Sequence, residues 1–367
     1  MDKVGETVLE IDLDALAHNF HYLKSKLKPE TKFLAVVKAF AYGSDMVTIA
    51  KKMASLGVDY FAVAYVKEGV LLREAGIETP ILVLHPQPVN FELLIQHRLE
   101  PSLYSSKILG QFLAVAKENR LEKYPVHIKF NTGLNRLGFW ESDVDHIVEQ
   151  LKSSGAIKVT SIFSHLAASE DPNEEEFSKN QIDTFQRISS DLYEKLDYRP
   201  FRHMLNTSGI INYPQGQFEM VRSGIGLYGY GNSALEDKNL KPVAQLKTII
   251  SQMHKIEPGE TVGYNRAFHS NGYRVSATLP LGHADGIGRQ YGNGITYVLI
   301  HGKKAPIIGN VCMDMIMIDV TDIDCKEGDE VVVFGQENSA EIFASSAQTI
   351  SYEILTAISQ RVKRVIK

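Results

Sequence analysis

Lys38 closes a short apolar run, Phe33-Leu-Ala-Val-Val37, and is followed by Ala-Phe-Ala-Tyr42-Gly43. A lysine amine withdrawn from water loses its charge readily and becomes a nucleophile toward carbonyl carbon. Taken alone, a lysine at a strand end more often just meets solvent. Gly224 follows another such run, Met220-Val-Arg222-Ser. Backbone N–H groups after a strand hold phosphates well, although a lone glycine there is equally a simple turn. By themselves Arg222 reads as a salt-bridged arginine, His165 as a satisfied strand-end histidine and Lys129 as an ordinary strand lysine. Tyr264, after Thr-Val-Gly, reads by itself as an aromatic in a β-turn. Whether these groups do chemistry depends on the elements that gather them.

From Thr31 to Gly229, short β-branched runs alternate with longer amphipathic stretches. The expected strands are Phe33–Val37, Tyr60–Ala64, Ile81–Leu84, Pro101–Tyr104, Val126–Phe130, Val159–Ser164, Phe201–Leu205 and Met220–Arg222. Unbroken apolar runs of this length suit strands buried on both faces, and eight strand–helix units close a (β/α)8, TIM-like barrel. Between them, Asp14–Leu27, Asp45–Leu56, Lys67–Glu74, Ser105–Glu118, Asp143–Lys152 and Glu174–Leu196 carry helical periodicity. The pattern changes near Gly231, where a polar stretch reads as a surface loop between domains. Strand-like runs follow at Ala244–Met253, Arg274–Leu281, Thr296–Ile300, Ala305–Ile308, Met315–Val320 and Glu330–Phe334, then a helical stretch at Ser346–Ser359. The expected organisation is an N-terminal strand in residues 1–10 packing with the second domain, a barrel over 11–232, and a mainly antiparallel β domain over 233–367.

A chain of 367 residues with 44% apolar and 23% charged residues is long enough for two buried cores. The net charge of −5, with both signs mixed along the chain, argues against a nucleic-acid partner. Two cysteines, Cys312 and Cys325, form no disulfide framework, and no Cys/His spacing offers a four-ligand metal site. No apolar run approaches the ~20 residues of a membrane span, and the first residues lack a signal-peptide core. The expectation is a soluble, cytoplasmic protein.

Several motifs together resemble the alanine racemase family, pyridoxal 5′-phosphate (PLP) enzymes of fold type III. They are Ala35-Val-Val-Lys38-Ala-Phe-Ala-Tyr42-Gly43, Val126-His-Ile-Lys129-Phe-Asn-Thr-Gly133-Leu-Asn-Arg136-Leu-Gly-Phe139 and Ile162-Phe-Ser-His165. His203-Met-Leu-Asn206-Thr207-Ser208, Met220-Val-Arg222-Ser-Gly224-Ile225, Thr261-Val-Gly-Tyr264, Gly282-His-Ala-Asp285-Gly286, Val311-Cys-Met313-Asp314 and Ile350-Ser-Tyr352 continue the likeness in order along the whole chain. The resemblance implies that Lys38 carries PLP and serves as the base on the D side of the substrate, with Tyr264 as the opposing base for L-alanine. Racemisation needs two such groups, because a proton leaves one face of the α-carbon and another arrives on the opposite face. It further implies a cofactor site of Tyr42, His165, Asn206, Thr207, Arg222, Gly224, Ile225 and Tyr352. In it Arg222, a donor only, meets the pyridine nitrogen and leaves it unprotonated. Arg136 and the backbone N–H of Met313 would hold the substrate carboxylate, and Lys129 resembles a position carbamylated by CO2. Family membership would also imply a head-to-tail homodimer in which Tyr264 and Met313 come from the partner subunit, and D-alanine made for cell-wall peptide.

Some positions depart from the family pattern. Phe40 replaces the common Asn, Ser44-Asp45 replaces His-Gly, Asn131 an Asp, His283 a Tyr, Asn310 an Arg and Met315 a Gln. None is the cofactor lysine, the tyrosine base or a carboxylate anchor, so the expectation is altered selectivity or rate with the chemistry intact. Alternatives are a broad-specificity or serine racemase on the same scaffold, a decarboxylase of the same plan, and a non-catalytic PLP-binding protein. A decarboxylase would place an acidic residue where Arg222 stands, and the PLP-binding protein would lack the second domain.

Overall fold

Runs buried on both faces pair with their neighbours in sequence order, and their connecting helices cover the outer side. The computed structural model describes residues 4–367, so the first three residues of the expected N-terminal segment lie outside the described chain. The first strand is β1 (Val8–Ile11). The next eight are β2 (Lys32–Val36), β3 (Tyr60–Val63), β4 (Ile81–Val83), β5 (Glu100–Leu103), β6 (Tyr124–Lys129), β7 (Ile157–Phe163), β8 (Phe201–His203) and β9 (Met220–Ser223). They close a parallel barrel, sealed where β2 meets β9 in the register Leu34↔Arg222. Each expected strand of the first region is present within two residues of its expected ends.

Helices begin where the sequence offers an acceptor for the free N–H groups of the first turn. Asp12 accepts from Asp14 and Ala15 before the helix Leu13–Lys24, Asp45 from Thr48 before Met46–Ser55, and Ser105 from Ile108 before Ser106–Glu118.

After the barrel come β10 (Ala244–Ile249), β11 (Gln252–Ile256), β12 (Thr261–Val262), β13 (Phe268–His269), β14 (Arg274–Leu279), β15 (Tyr297–Ile300), β16 (Lys303–Ile308), β17 (Ile316–Asp319), β18 (Glu330–Phe334) and β19 (Lys363–Ile366). Except for the β12–β13 ribbon they form one mostly antiparallel sheet in the order β11-β14-β17-β16-β15-β18-β10-β1-β19. β1 therefore leaves the barrel and lies between β10 and β19, antiparallel to the first and parallel to the second.

Two expectations need correction. The run Ala244–Met253 is two strands, because the chain turns at Ile250-Ser251 and β11 pairs with β14 instead of continuing beside β18. Of the helical stretch Ser346–Ser359 only Ser351–Ala357 is helix; a separate short helix, Ala340–Ser345, precedes it, and the turn between them holds Gln348 at a left-handed φ of 58°. β19 carried no strand signal, since its Lys-Arg-Val-Ile run reads as a basic chain end.

The two layers are stitched by Arg364 on β19. Its guanidinium donates to the carbonyls of Gly43 and Ser44 in the barrel and of Ile358, Ser359 and Val362 in its own layer, at 2.5–3.2 Å. Arg364→Leu leaves these acceptors without their donor and is expected to cost about 2–4 kcal/mol, read as a lowered midpoint in denaturant unfolding.

Candidate active site

Lys38 leaves the C-terminal end of β2 at the barrel mouth, the end where barrel sites form. The backbone then does something that the sequence does not announce. Ala39, Phe40, Ala41 and Tyr42 all adopt φ of 53–54°, a left-handed turn that ends at Gly43 with φ 80°. Each L-residue in that region costs about 1–2 kcal/mol, so the surroundings must impose it. The Glu68 carboxylate takes the Ala39 N–H at 2.6 Å, and Arg364 holds the carbonyls of Gly43 and Ser44. Gly43 is obligatory, because a Cβ there would stand 1.9 Å from the carbonyl oxygen of Leu355.

The turn aims Lys38 and Tyr42 into a cavity of about 690 Å³, whose lining includes Lys129, Arg136, His165, Asn206, Thr207, Arg222, Gly224, Ile225 and Tyr352. Four side chains of that lining, Lys38, Lys129, Arg136 and Arg222, are basic, and none is acidic. Burial, reinforced by Arg136 and Arg222 and opposed by Glu68, lowers the pKa of Lys38. Burial together with Arg136, Arg222 and Lys38 takes Lys129 down to about 8. Both amines therefore hold a larger neutral fraction near neutrality than an exposed lysine does.

Arg222 is buried on β9, and both of its terminal nitrogens are engaged. One terminal nitrogen donates to His203 Nδ1 at 2.5 Å, and the other donates to the Ser164 carbonyl at 2.7 Å and to His165 Nδ1 at 3.0 Å. Burial and Arg136 pull its pKa to about 9, which still leaves it a cation at neutral pH. Burial and then Arg222 depress the imidazole of His165 well below its ordinary value, and because its Nδ1 accepts, its proton stands on Nε2.

Arg136 is carried by a loop that folds back on β6, with Phe139 N–H donating to Lys129 O and Asn131 N–H to Phe139 O, each at 2.8 Å. Asn131 Oδ1 accepts from the N–H groups of Gly133 and Asn135, as a carboxylate would, and its amide also donates to Asn135 Oδ1. The Asn-for-Asp departure is thus accommodated within the turn.

Across the cavity, Gly224 allows Tyr42 to close in; a Cβ at Gly224 would lie 2.1 Å from Tyr42 Oη. Burial raises the phenol pKa of Tyr42 well above 10 and that of Tyr352 to about 12, so both remain protonated donors. Thr207 Oγ1 lies 3.0 Å from Ser223 Oγ and accepts from Gly226 N–H. Asn206 caps the helix Thr207–Asn212, accepting from Gly209 N–H at 2.8 Å.

Tyr264 and Met313 do not line this cavity. They border a separate one of about 340 Å³ with His283, Arg289, Asn310 and Cys312. Tyr264 sits at the tip of the β12–β13 ribbon, 73% exposed, its carbonyl accepting from the Asn310 amide at 3.0 Å; Met313 is 58% exposed. Sequence reasoning missed Glu68 and Arg364, the two residues that hold the turn. The only local signal for Glu68 was a carboxylate in the first turn of the helix that follows β3.

Two family models match, "alanine racemase, N-terminal domain" over residues 11–232 and "alanine racemase, C-terminal domain" over residues 243–366. The chain is 39% identical to the alanine racemase of Halothermothrix orenii, covering 98% of this chain and 97% of that one. It is 37% identical to alanine racemase 1 of Caldanaerobacter subterraneus subsp. tengcongensis over 99% and 95% of the two chains. Among solved structures, alanine racemase of Clostridium difficile 630 superposes with a TM-score of 0.93 at 35% identity, covering 100% and 97% of the two chains.

Phe40 is exposed in the middle of the left-handed turn, a conformation that Asn tolerates better than an aromatic. Phe40→Asn is expected to stabilise the fold by about 0.5–1 kcal/mol, seen as a Tm about 1 °C higher.

Proposed function

The chain belongs to the alanine racemase family, and on that premise we propose that it interconverts L-alanine and D-alanine with PLP held at the barrel mouth. The observation that carries this reading is the charge of the Lys38 cavity, whose lining has four basic side chains and no carboxylate. Such a site suits two anionic groups, the phosphate of the cofactor and the carboxylate of the substrate. The narrow approach of Gly224 to Tyr42, flanked by the protonated phenols of Tyr42 and Tyr352 and by Thr207, fits a phosphate held by neutral donors. When bound through Lys38, PLP supplies an electron sink that acidifies the α-proton of an amino acid.

In this reading the protein residues do the following. Lys38, with its lowered pKa, takes and returns the proton on the D face. Arg222 offers an N–H to the cofactor's ring nitrogen without yielding its own proton, which tempers the sink and disfavours side reactions. Arg136 binds the substrate carboxylate on the side of the opposing base. That base is Tyr264 of the partner subunit, with Met313 of the partner subunit beside the carboxylate. The exposure of both side chains away from their own Lys38 cavity supports a homodimer with two shared sites.

Racemisation assays on PLP-loaded protein test the reading, with L-alanine, D-alanine and L-serine compared. Lys38→Ala is expected to lose the covalently bound cofactor absorbance and virtually all turnover. Tyr264→Phe is expected to slow racemisation by about 10²–10⁴-fold. It should still exchange the α-proton of D-alanine with solvent, because Lys38 remains on that face. Fast exchange at L-alanine in that variant refutes the two-base assignment.

A lysine carbamate forms from the neutral amine, and Lys129 becomes mostly neutral above about pH 8. Carbamylation of Lys129 is therefore expected to increase as pH rises through 8 and to vanish at low pH or in CO2-free buffer. A ¹³C-bicarbonate NMR signal absent from Lys129→Ala checks this.

A further inference from the structure

Arg222 does not end its hydrogen bonds at His203. His203 Nε2 lies 2.8 Å from Ser161 Oγ, Ser161 Oγ lies 2.6 Å from His127 Nδ1, and His127 Nε2 lies 2.8 Å from Glu100 Oε2. These residues stand on five neighbouring strands, β5 to β9. His127, Ser161 and His203 are fully buried, so water cannot replace a broken link.

The direction of every link follows from the two ends. A guanidinium only donates and a carboxylate only accepts. His203 Nδ1 must therefore accept from Arg222, which places the His203 proton on Nε2, where it is donated to Ser161. The Ser161 hydroxyl in turn donates to His127 Nδ1, leaving the His127 proton on Nε2 for Glu100. No donor or acceptor is left over. A doubly protonated His127 would donate from both nitrogens and leave the Ser161 proton without an acceptor in a dry site. Burial and the neighbouring Arg222 also hold the His203 imidazole neutral. His203 stacks on Phe163 at 4.8 Å and 8° between planes, which holds its ring orientation, and Tyr60 Oη donates to Glu100 at 3.4 Å.

Among the described residues no carboxylate pairs with Arg222 directly. We propose that Glu100, acting through His127, Ser161 and His203, is a positioning residue that orients and polarises Arg222 from the interior of the barrel. Bonds that all point one way strengthen one another. The terminal carboxylate thus makes His203 Nδ1 a firmer acceptor and keeps the guanidinium in one plane at the cavity. Only the consequence for turnover rests on the racemase reading.

The test is imidazole ¹⁵N NMR of PLP-loaded, histidine-labelled protein together with steady-state kinetics. In the unmutated protein both His127 and His203 are expected to be neutral with the proton on Nε2. Glu100→Leu leaves the His127 Nε2 proton without its acceptor and should lower kcat about 10-fold or more, with KM for alanine changed less than about 2-fold. Glu100→Gln, whose amide oxygen still accepts from His127, should keep both tautomers and lose less. Ser161→Ala cuts the chain at its middle with a smaller change of volume, and should lower kcat as Glu100→Leu does if that variant folds poorly. A proton on Nδ1 of His203, a charged His127 at pH 8, or a Glu100→Gln variant as slow as Glu100→Leu overturns the proposal. A lowered Tm with an unchanged kcat also overturns it. The tautomers are read without turnover, so a protein that shows them yet racemises nothing counts against the racemase reading alone.

Discussion

A guanidinium buried inside a barrel with no carboxylate at its side among the described residues is the constraint around which this site is arranged. Arg222 cannot shed its charge, and burying an unpaired cation is costly. The fold answers with carbonyl oxygens at the ends of β7 and β8 and with two imidazole nitrogens that must accept. Those acceptors decide the tautomers of His165 and His203. They also leave the cavity strongly positive, since Lys38, Lys129 and Arg136 share it. Burial, and after it mutual repulsion, then lowers the pKa of both lysines. One electrostatic fact thus readies the amine that must react and makes the pocket receptive to anions.

The second demand is geometric. The chain after β2 must reverse quickly enough to present Lys38 and Tyr42 to the same cavity, and a left-handed turn does so within five residues. Its conformational cost is offset by contacts from outside the segment. Glu68 belongs to the next barrel unit, and Arg364 and Leu355 to the C-terminal part of the chain. The β-rich layer is therefore more than a platform for Tyr264, since it also braces the turn that carries the lysine. This coupling explains why the closing strand of the molecule contacts the first strand–helix junction of the barrel.

The departures from the family pattern fall at positions with separate physical settings. Asn131 is absorbed by its own turn. Asn310 supports the backbone of Tyr264, and His283 borders the same small cavity. Phe40 and Met315 are exposed. Their hydrogen bonds go to other groups than the partners of Arg222, so the hydrogen-bonded centre of the cavity is left intact while its outer surroundings vary.

The sequence by itself determined the eight strand–helix periods, the change to antiparallel strands after Gly231, and the group of residues that meet around Lys38. The strand periods are legible because burial imposes a short-range periodicity; the group around Lys38 is legible only through the resemblance of its motifs to the alanine racemase family, since singly Lys129, His165 and Gly224 read as ordinary strand-end or turn residues. What only the tertiary structure decided is the hand of the turn after Lys38, the late start of the last helix at Ser351 with a separate short helix before it, and the path from Arg222 to Glu100. Glu100, His127 and Ser161 look, in sequence, like stray polar residues within apolar runs. Their meaning arises only when strands far apart in the chain close into a ring. A hydrogen bond is set by distance and direction in space, and local sequence does not carry either across that separation.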